Sequence, residues 1–400
     1  MVMIGLGRLG LSISLCFEQA GWDVLGMDIS KNRVDAVNER ELKSREPMVE
    51  EMLRKSKNLR ATINLEEALQ HGNIVYISVA TPSVATTNLN VESLSSVLAQ
   101  MKEKNVKNKH LVIVSTIMPG YIQEVARYLL EGCENVTISY IPDGAVPISY
   151  GRLIYGITNP EMVLIGEDSK EAGDVLEAAH LTLVANDPTI FRMNTTSAEM
   201  TKLALSAMSA CKIAMSNFIA DLADAKHGAD ADTNIARNGS DSRFGPSFLA
   251  RGYGFGGPCI PRDTRATAEC ARNLGIDPIL VNGVLKSNEE HIELIAERLL
   301  RNRRDLQEKI IVDDVSFKQN SLTDVIEESR KLDLANLLVR KGAHVVIRDK
   351  LPIIKLVKNL YGKRFDYEVV SHNAPSDNVD RSPRKRQRAA YSNGNKVIPV

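Results

Sequence analysis

A glycine-rich stretch, GLGRLG at residues 5–10, constrains the fold more than any other part of this chain. An apolar strand at residues 1–4 precedes it, and a helical pattern follows as far as Ala20. A second strand at residues 23–27 then ends at Asp28. Glycines at this spacing permit a tight turn and let a pyrophosphate approach the amino end of the helix. The order of elements therefore predicts a βαβ unit that binds a dinucleotide; the alternative is a purely structural βαβ unit.

The choice of dinucleotide depends on the end of the second strand. Asp28 is placed to accept hydrogen bonds from a ribose diol, which favours NAD over NADP. Arg33 lies close by in the sequence and could approach the adenosine or a phosphate, which leaves this preference open. The predicted cofactor contacts are Gly5, Gly7, Arg8, Leu9, Gly10, Asp28, Arg33, Thr81 and Thr116.

Strands and helices continue to alternate beyond this unit. Apolar strands are predicted at residues 74–79, 111–114, 136–140 and 162–166, with a helix at 91–104. Ligands of open parallel sheets bind beyond the carboxyl ends of the strands. Thr81, Ser115, Thr116 and Asp143 follow such ends, and each could instead serve only as a turn or helix cap.

One long helix is predicted at residues 197–226, where apolar residues recur at spacings of three and four. Its apolar surface is wider than one stripe, which indicates packing on two sides, as in a dimer core. Lys202 lies within this apolar surround. A lysine on a helix is usually a solvated charge, but beside a nucleophile it can stabilise an oxyanion.

The segment GFGGPCIPRD at residues 254–263 holds Cys259 on a rigid turn of small residues. Pro258 and Pro261 restrict the backbone on both sides of the sulfur, and Asp263 lies one helical turn further on. This arrangement suits a nucleophile with a nearby carboxylate that handles protons. The alternative is an ordinary buried cysteine in a glycine-rich turn.

The rest of the chain suggests a second α/β unit and a tail. Strands at 309–312 and 344–347 flank a helix, as in a smaller Rossmann-type domain, whereas beyond residue 371 the sequence is polar and basic. We expect that tail to be disordered; binding to polyanions or nuclear import is the alternative. The predicted divisions are an NAD-binding domain at 1–190, a central helical domain at 191–300, a substrate-binding domain at 301–370 and the tail at 371–400.

Composition excludes several classes of protein. Acidic and basic residues number 50 each, so no overall charge favours nucleic acid or a membrane surface. The five cysteines form no disulfide framework and no metal-binding spacing, which predicts no metal and a reducing, cytoplasmic location. No uninterrupted apolar run approaches about 20 residues, so we expect no membrane span. The motif at residues 5–10 leaves no room for a signal peptide before it.

Taken together, these motifs resemble the UDP-glucose/GDP-mannose dehydrogenase family over nearly all of residues 1–350. The shared marks are GLGRLG, VATP at residue 79, STIMPG at 115, AEMTKLA at 198, RFGPSFL at 243 and the cysteine segment. The resemblance implies an α/β protein in which two Rossmann-type domains are joined by a long central helix. It also implies NAD as the cofactor, a nucleotide sugar as the substrate and a homodimer or higher homo-oligomer.

The reaction implied by this resemblance is the two-step oxidation of a sugar C6 alcohol to a carboxylate. Cys259 would add to the intermediate aldehyde, and the thiohemiacetal would be oxidised to a thioester and then hydrolysed. The implied catalytic residues are Cys259, Lys202, Asp263, Thr116, Asp143 and Ser206. The implied substrate contacts are Lys202, Arg243, Phe248, Leu249, Gly256 and Lys318, with Arg243 reaching the substrate of a neighbouring subunit.

Four positions depart from the family pattern. Ser206 stands where Asn is usual, Asp143 where Glu is usual, Glu327 where Arg is usual, and the pair at 313–314 is acidic where Gly and apolar residues are usual. UDP-glucose is the favoured substrate. A UDP-N-acetylhexosamine or GDP-mannose, and a weakly active or non-catalytic nucleotide-sugar-binding protein, remain as alternatives.

Overall fold

The computed structural model describes residues 1–84, 88–142, 152–301, 308–317 and 324–370. The chain forms two compact units. The first contains residues 1–209 and 262–283, and the second contains residues 210–261 and most of the chain from 284 onward. The predicted tail at 371–400, Asp143 and Lys318 lie outside the described residues.

Eight strands of the first unit form one sheet. The strands are β1 (Val2–Ile4), β2 (Leu25–Met27), β3 (Arg60–Thr62), β4 (Ile74–Ile77), β7 (Lys109–Ile113), β8 (Val136–Tyr140), β9 (Met162–Glu167) and β10 (Thr189–Asn194), and a separate hairpin joins β5 (Ser83–Val84) to β6 (Asn88–Leu89). The helices are α1 (Arg8–Gln19), α2 (Lys31–Asn38), α3 (Val49–Lys55), α4 (Leu65–His71), α5 (Glu92–Glu103), α6 (Arg127–Leu129), α7 (Leu153–Thr158) and α8 (Lys170–Leu181), with a π-helix at Ile122–Ala126 before α6.

The strand order of this sheet is β10-β9-β8-β7-β4-β1-β2-β3. Neighbouring strands are parallel except β8 and β9, which pair antiparallel through Tyr140 and Gly166. After β1 the chain moves outward to β2 and β3 and then returns to β4 on the other side of β1. The order therefore reverses between β1 and β4, and ligands of such sheets bind at this point.

Both faces of the sheet are covered by apolar side chains. Successive residues of a strand point to opposite faces, and β1 shows this directly. Val2 and Ile4 belong to one buried cluster, whereas Met3 belongs to the other. This two-sided burial explains why the central strands are short, continuously apolar runs that the sequence makes easy to recognise.

The second unit contains a smaller parallel sheet. Its strands, in the order β11-β12-β13, are Ile310–Asp313, Val345–Asp349 and Asp366–Val369, with α13 (Arg330–Arg340) and α14 (Leu351–Tyr361) packed in the same apolar cluster. The unit also contains α10 (Ala231–Gly239) and most of α12 (Ile279–Arg301). The predicted α/β class with two Rossmann-type domains is therefore confirmed. The sequence pattern did not indicate β3, β10 and β13, each of which lies at an edge of its sheet, or the hairpin strands β5 and β6.

Helix α9 (Thr195–Ala225) is the longest element, at 31 residues. Its first half packs Ala198 and Leu203 into the first unit, and Ala210 and Ala214 belong to a cluster of the second. Several large apolar side chains remain exposed along it: Met200, Leu205, Met208, Met215, Phe218 and Leu222. The helix is long and apolar enough to cross a membrane, although the sequence analysis expected no such segment. A central helix of a folded domain meets the same criterion.

Candidate functional site

The glycine turn after β1 has the shape that a dinucleotide requires. Gly5 has a positive φ of 92°, and a Cβ there would lie 2.2 Å from the Ser78 carbonyl oxygen. A Cβ at Gly10 would lie 1.9 Å from the Gly5 carbonyl oxygen, so both positions exclude any side chain. A Cβ at Gly7 would meet nothing within 4 Å. Gly7 therefore leaves room for a pyrophosphate at the amino end of α1, and the turn fits the predicted cofactor.

Asp28 is held rigidly at the end of β2. The Leu6 N–H donates to Oδ2 of Asp28 at 2.9 Å, and the Ser30 N–H donates to Oδ1 at 2.9 Å. Arg33 donates from its guanidinium to the Leu6 carbonyl oxygen at 2.9 Å and lies 3.9 Å from the Asp28 carboxylate. Its charge is thus partly engaged by the turn itself, which weakens the case for a 2′-phosphate contact.

The other predicted cofactor residues lie on the same turn or at neighbouring strand ends. Arg8 lies 3.7 Å from the buried carboxylate of Glu46, and Leu9 packs against the core. Thr81 and Thr116 are buried beyond the ends of β4 and β7. Ser115 has a structural role, because its hydroxyl bonds both the N–H and the carbonyl oxygen of Val79.

The first unit brings three residues to the carboxylate of Asp263: the predicted Lys202 and Ser206, and the adjacent Arg262. Lys202 Nζ lies 3.2 Å and Ser206 Oγ lies 2.9 Å from Oδ2 of Asp263. These two residues are four apart on α9, so they share one face of the helix. Arg262 donates to Oδ1 of Asp263 at 2.8 Å and to the Thr116 hydroxyl at 3.0 Å. The Asp263 side chain itself is fully buried.

The surroundings of Asp263 decide its charge. Burial alone raises the pKa of a carboxyl group, but the positive charges of Lys202 and Arg262 and the hydrogen bonds from Arg262 and Ser206 outweigh it. The net result is an Asp263 pKa below its ordinary value. The group is therefore an ionised hydrogen-bond acceptor at neutral pH, and its negative charge balances the positive charge of Lys202.

The second unit holds the cysteine turn, whose glycines have separate steric reasons. Gly254 and Gly257 have φ values of 100° and 82°, which side chains rarely adopt. A Cβ at Gly256 would lie 2.3 Å from the Glu328 carbonyl oxygen, and one at Gly257 would lie 2.3 Å from the Phe317 ring. The turn is thus pressed closely against two other segments of its own unit.

Cys259 immediately precedes α11 (Ile260–Asn273) and is partly buried. The amino end of a helix favours negative charge, and cysteines placed there form thiolates more readily. Asp263 lies in the first turn of the same helix. The turn, the helix end and the partial access together suit a nucleophile.

The predicted substrate residues at 243–249 lie elsewhere in the second unit. Arg243 is mostly exposed and pairs with Asp241 at 2.8 Å. Phe248 has a positive φ of 63°, an uncommon conformation for an aromatic residue, and is 40% exposed. Leu249 packs against the small apolar cluster of α9 and α10. The role of Arg243 across subunits stays a prediction.

Sequence reasoning missed two residues that organise the first unit's part of the site. The bridge made by Arg262 was not expected, although it adjoins Asp263 in the cysteine segment. Glu199 is fully buried at the start of α9 and accepts N–H bonds from Gly120 at 2.6 Å and Ile122 at 3.0 Å. It ties α9 to the loop that carries Thr116. Its place within AEMTKLA, one turn before Lys202, was the available signal.

Within the described part of the chain, no group of three or more His, Cys, Asp or Glu side chains is placed to hold a metal ion. Asp143 and Lys318, the remaining predicted site residues, lie outside the described residues.

Comparison with protein families gives two matches. Residues 1–184 match the NAD-binding domain of the UDP-glucose/GDP-mannose dehydrogenase family, and residues 196–290 match its central domain. The family is NAD-dependent. The two matched segments contain the glycine turn, Lys202, Cys259 and Asp263.

Individual relatives cover most of the chain. A GDP-mannose 6-dehydrogenase of Pseudomonas syringae is 30% identical over 363 residues, which are 87% of this chain and 80% of the relative. A UDP-glucose 6-dehydrogenase of Haloferax volcanii is 29% identical over 355 residues, which are 86% of this chain and 81% of the relative. A UDP-glucose dehydrogenase structure from Pyrobaculum islandicum superposes with a TM-score of 0.81 at 25% identity, covering 93% of this chain and 85% of that one.

Proposed function

We propose that this chain, which belongs to the UDP-glucose/GDP-mannose dehydrogenase family, oxidises the C6 alcohol of UDP-glucose to the carboxylate in two NAD-dependent steps. The observation that carries the reaction type is the buried Asp263 carboxylate, which holds Lys202 and Ser206 within 3.2 Å. It lies four residues after Cys259, whose turn and helix end favour a thiolate. The superposition on a UDP-glucose dehydrogenase supports the choice of sugar nucleotide.

Each residue then has a defined task. NAD, when bound, would supply the oxidising chemistry: one hydride leaves the C6 carbon to give the aldehyde, and a second leaves the thiohemiacetal carbon to give the thioester. The Cys259 thiolate adds to the aldehyde carbon, which forms a C–S bond and places negative charge on the former carbonyl oxygen. The Lys202 ammonium stabilises that oxygen. Water then displaces the thiolate from the thioester, releasing the carboxylate and regenerating Cys259.

The low pKa of Asp263 limits what this residue does. A carboxyl group that is ionised at neutral pH and paired with two cations is a poor proton donor. We assign it the tasks of keeping Lys202 charged and orienting the Ser206 hydroxyl. A water molecule that reaches the thioester would then be aligned by these groups. The short Ser206 side chain still reaches the carboxylate, so this departure from the family pattern leaves the hydrogen bond in place.

The proposed assembly is a homodimer built on α9. Met208, Met215 and Leu222 recur every seven residues and are 55–67% exposed, with Phe218 at 50% between them. A stripe of this kind on one helix is costly to leave in water. A second copy of the same helix supplies the matching apolar surface, and Arg243 would then reach the neighbouring active site.

The deciding experiment measures NADH formed per nucleotide sugar consumed, with UDP-glucose, GDP-mannose and UDP-N-acetylmannosamine supplied separately. We expect two NADH per UDP-glucose and a carboxylate product, and no such product from Cys259→Ser. GDP-mannose is the second candidate, because a GDP-mannose 6-dehydrogenase relative is 30% identical to this chain. A higher kcat/KM on GDP-mannose than on UDP-glucose would make GDP-mannose the substrate. If the nucleotide sugars bind but none yields NADH, the proposed oxidation is wrong and the chain is a nucleotide-sugar-binding protein.

A further inference from the structure

Helix α12 anchors the start of the cysteine turn through two residues on one face. The Asn288 amide makes a pair of bonds to Phe255, accepting from its N–H at 2.8 Å and donating to its carbonyl oxygen at 3.0 Å. Three residues further along the helix, His291 Nε2 lies 2.7 Å from the Gly252 carbonyl oxygen. The Gly252 N–H in turn donates to Asn217 on α9 at 2.8 Å. All five residues belong to the second unit, as does Cys259.

The second ring nitrogen of His291 also faces an acceptor. Nδ1 lies 2.7 Å from Oδ2 of Asp221, whose other oxygen pairs with Arg298. A peptide carbonyl can only accept, and a carboxylate paired with a guanidinium is ionised and also accepts. Neutral imidazole has a single N–H and cannot donate to both. Only a doubly protonated ring can donate to both of these acceptors, and the residue that faces them is only 4% exposed.

We propose that His291 is a cationic positioning residue for Cys259. Its imidazolium fixes the Gly252 carbonyl, and with it the path of the backbone into the glycine turn that carries the thiol. The turn has little freedom to compensate, because its glycines already touch the Glu328 carbonyl and the Phe317 ring. The inference rests on the proposed function to the extent that Cys259 is the nucleophile.

The charges around His291 come from every element packed against it in the described chain. Helix α9 contributes Asp221 and Asp224, α12 contributes Arg298, and the segment before the turn contributes Arg251. Arg298 bridges both aspartates and Arg251 pairs with Asp224 at 3.0 Å. A ring with a single proton, on Nδ1 toward Asp221, would present the Nε2 lone pair to the Gly252 oxygen, and the anchor would be lost.

The first test reads the proton directly. We would label the histidines with ¹⁵N and assign His291 by the signal that disappears in His291→Gln. At neutral pH both of its ring nitrogens should show the shifts of protonated nitrogen. His344 is a suitable control, because its Nε2 pairs with Asp366 at 2.8 Å on the small sheet but it is more exposed. A single protonated nitrogen on His291 at neutral pH would overturn the proposal.

The second test measures the reactivity of the Cys259 thiol. We expect His291→Gln to slow alkylation of Cys259 by iodoacetamide by roughly tenfold at neutral pH, as befits loss of a charged hydrogen bond, while His344→Gln leaves the rate unchanged. His291→Lys, which keeps a positive donor, should recover part of the rate. An unchanged Cys259 rate in His291→Gln, with native circular dichroism, would refute the positioning role.

The third test separates this inference from the proposed function. In single-turnover assays with UDP-glucose, His291→Gln should slow the second hydride transfer, which needs the thiol, more than the first. If the chain oxidises no nucleotide sugar, the proposed function fails, yet the alkylation and ¹⁵N results still decide the role of His291. Equal slowing of the first and second hydride transfers in His291→Gln would contradict the positioning role of His291.

Discussion

Replacement of Asp263 by Asn should cost about 3 kcal/mol in the free energy of unfolding. The carboxylate is fully buried and accepts from Lys202 and Ser206 at one oxygen and from Arg262 at the other. An amide offers one acceptor in place of two, so its NH₂ group must face donors. Removing one partner of a buried ion pair costs about 3–5 kcal/mol. The lower end applies because the Lys202 and Arg262 side chains retain 14% and 18% exposure.

Urea unfolding followed by the fluorescence of Trp22, the single tryptophan, is a suitable assay because Trp22 lies in the same unit. Ser206→Ala is the matched control and should cost only about 1–2 kcal/mol, since it removes one hydroxyl bond to a charged group. Adding Lys202→Met to Asp263→Asn should recover part of the lost stability, because it removes a partly buried positive charge from beside the neutral amide. If Asp263→Asn costs no more than Ser206→Ala, or if the second substitution only adds to the loss, the charge-pairing argument is wrong.

The remaining predictions concern the nucleophile, pH and assembly. Cys259→Ser should abolish acid formation, because an alkoxide is harder to form and leaves less readily; acid made at the parent rate would exclude the covalent route. Burial raises the pKa of Glu199 to about 7. The free energy of unfolding of the parent should therefore fall by up to about 3 kcal/mol as pH rises from 4.5 through 7. Urea unfolding at several pH values should show that Glu199→Gln lacks this fall. Phe218→Glu should halve the sedimenting mass without loss of helix content. Leu360→Glu, at a leucine on α14 that is 69% exposed against 50% for Phe218, should leave the mass unchanged. A fully active parent that sediments near 44 kDa would exclude the dimer.

The parts of the fold that were predictable from sequence are those in which local pattern and burial agree. Strand β1 before the glycine turn and strand β2 after helix α1 are buried along their whole length. Their apolar runs can therefore be recognised in the sequence without knowing which strands they pair with. The outermost strands are different. Asp366–Val369 is largely exposed and polar, and it becomes a strand only because β12 offers a free edge. No local pattern of four residues carries that information.

The candidate site divides in the same way. The sequence was sufficient to predict Cys259, Lys202 and Asp263 as site residues, because their motifs are short and rich in residues with special backbone or chemical properties. Arg33 stays a predicted cofactor contact, but its bond to the Leu6 carbonyl oxygen was not indicated by the sequence. His291 lies 39 residues from Gly252 and its neighbourhood reads as an ordinary amphipathic helix. Contacts of this kind depend on the packing of separate elements, which spacing along the chain does not specify.

The close approach of Gly256 to the Glu328 carbonyl has a consequence for protein engineering. The ten-residue cysteine segment cannot be transplanted as a module into another Rossmann scaffold. Its backbone fits only where a peptide oxygen from a second segment stands 2.3 Å from the missing Cβ and an aromatic ring fills the space beside Gly257. A graft would have to carry the 317 and 328 segments with it.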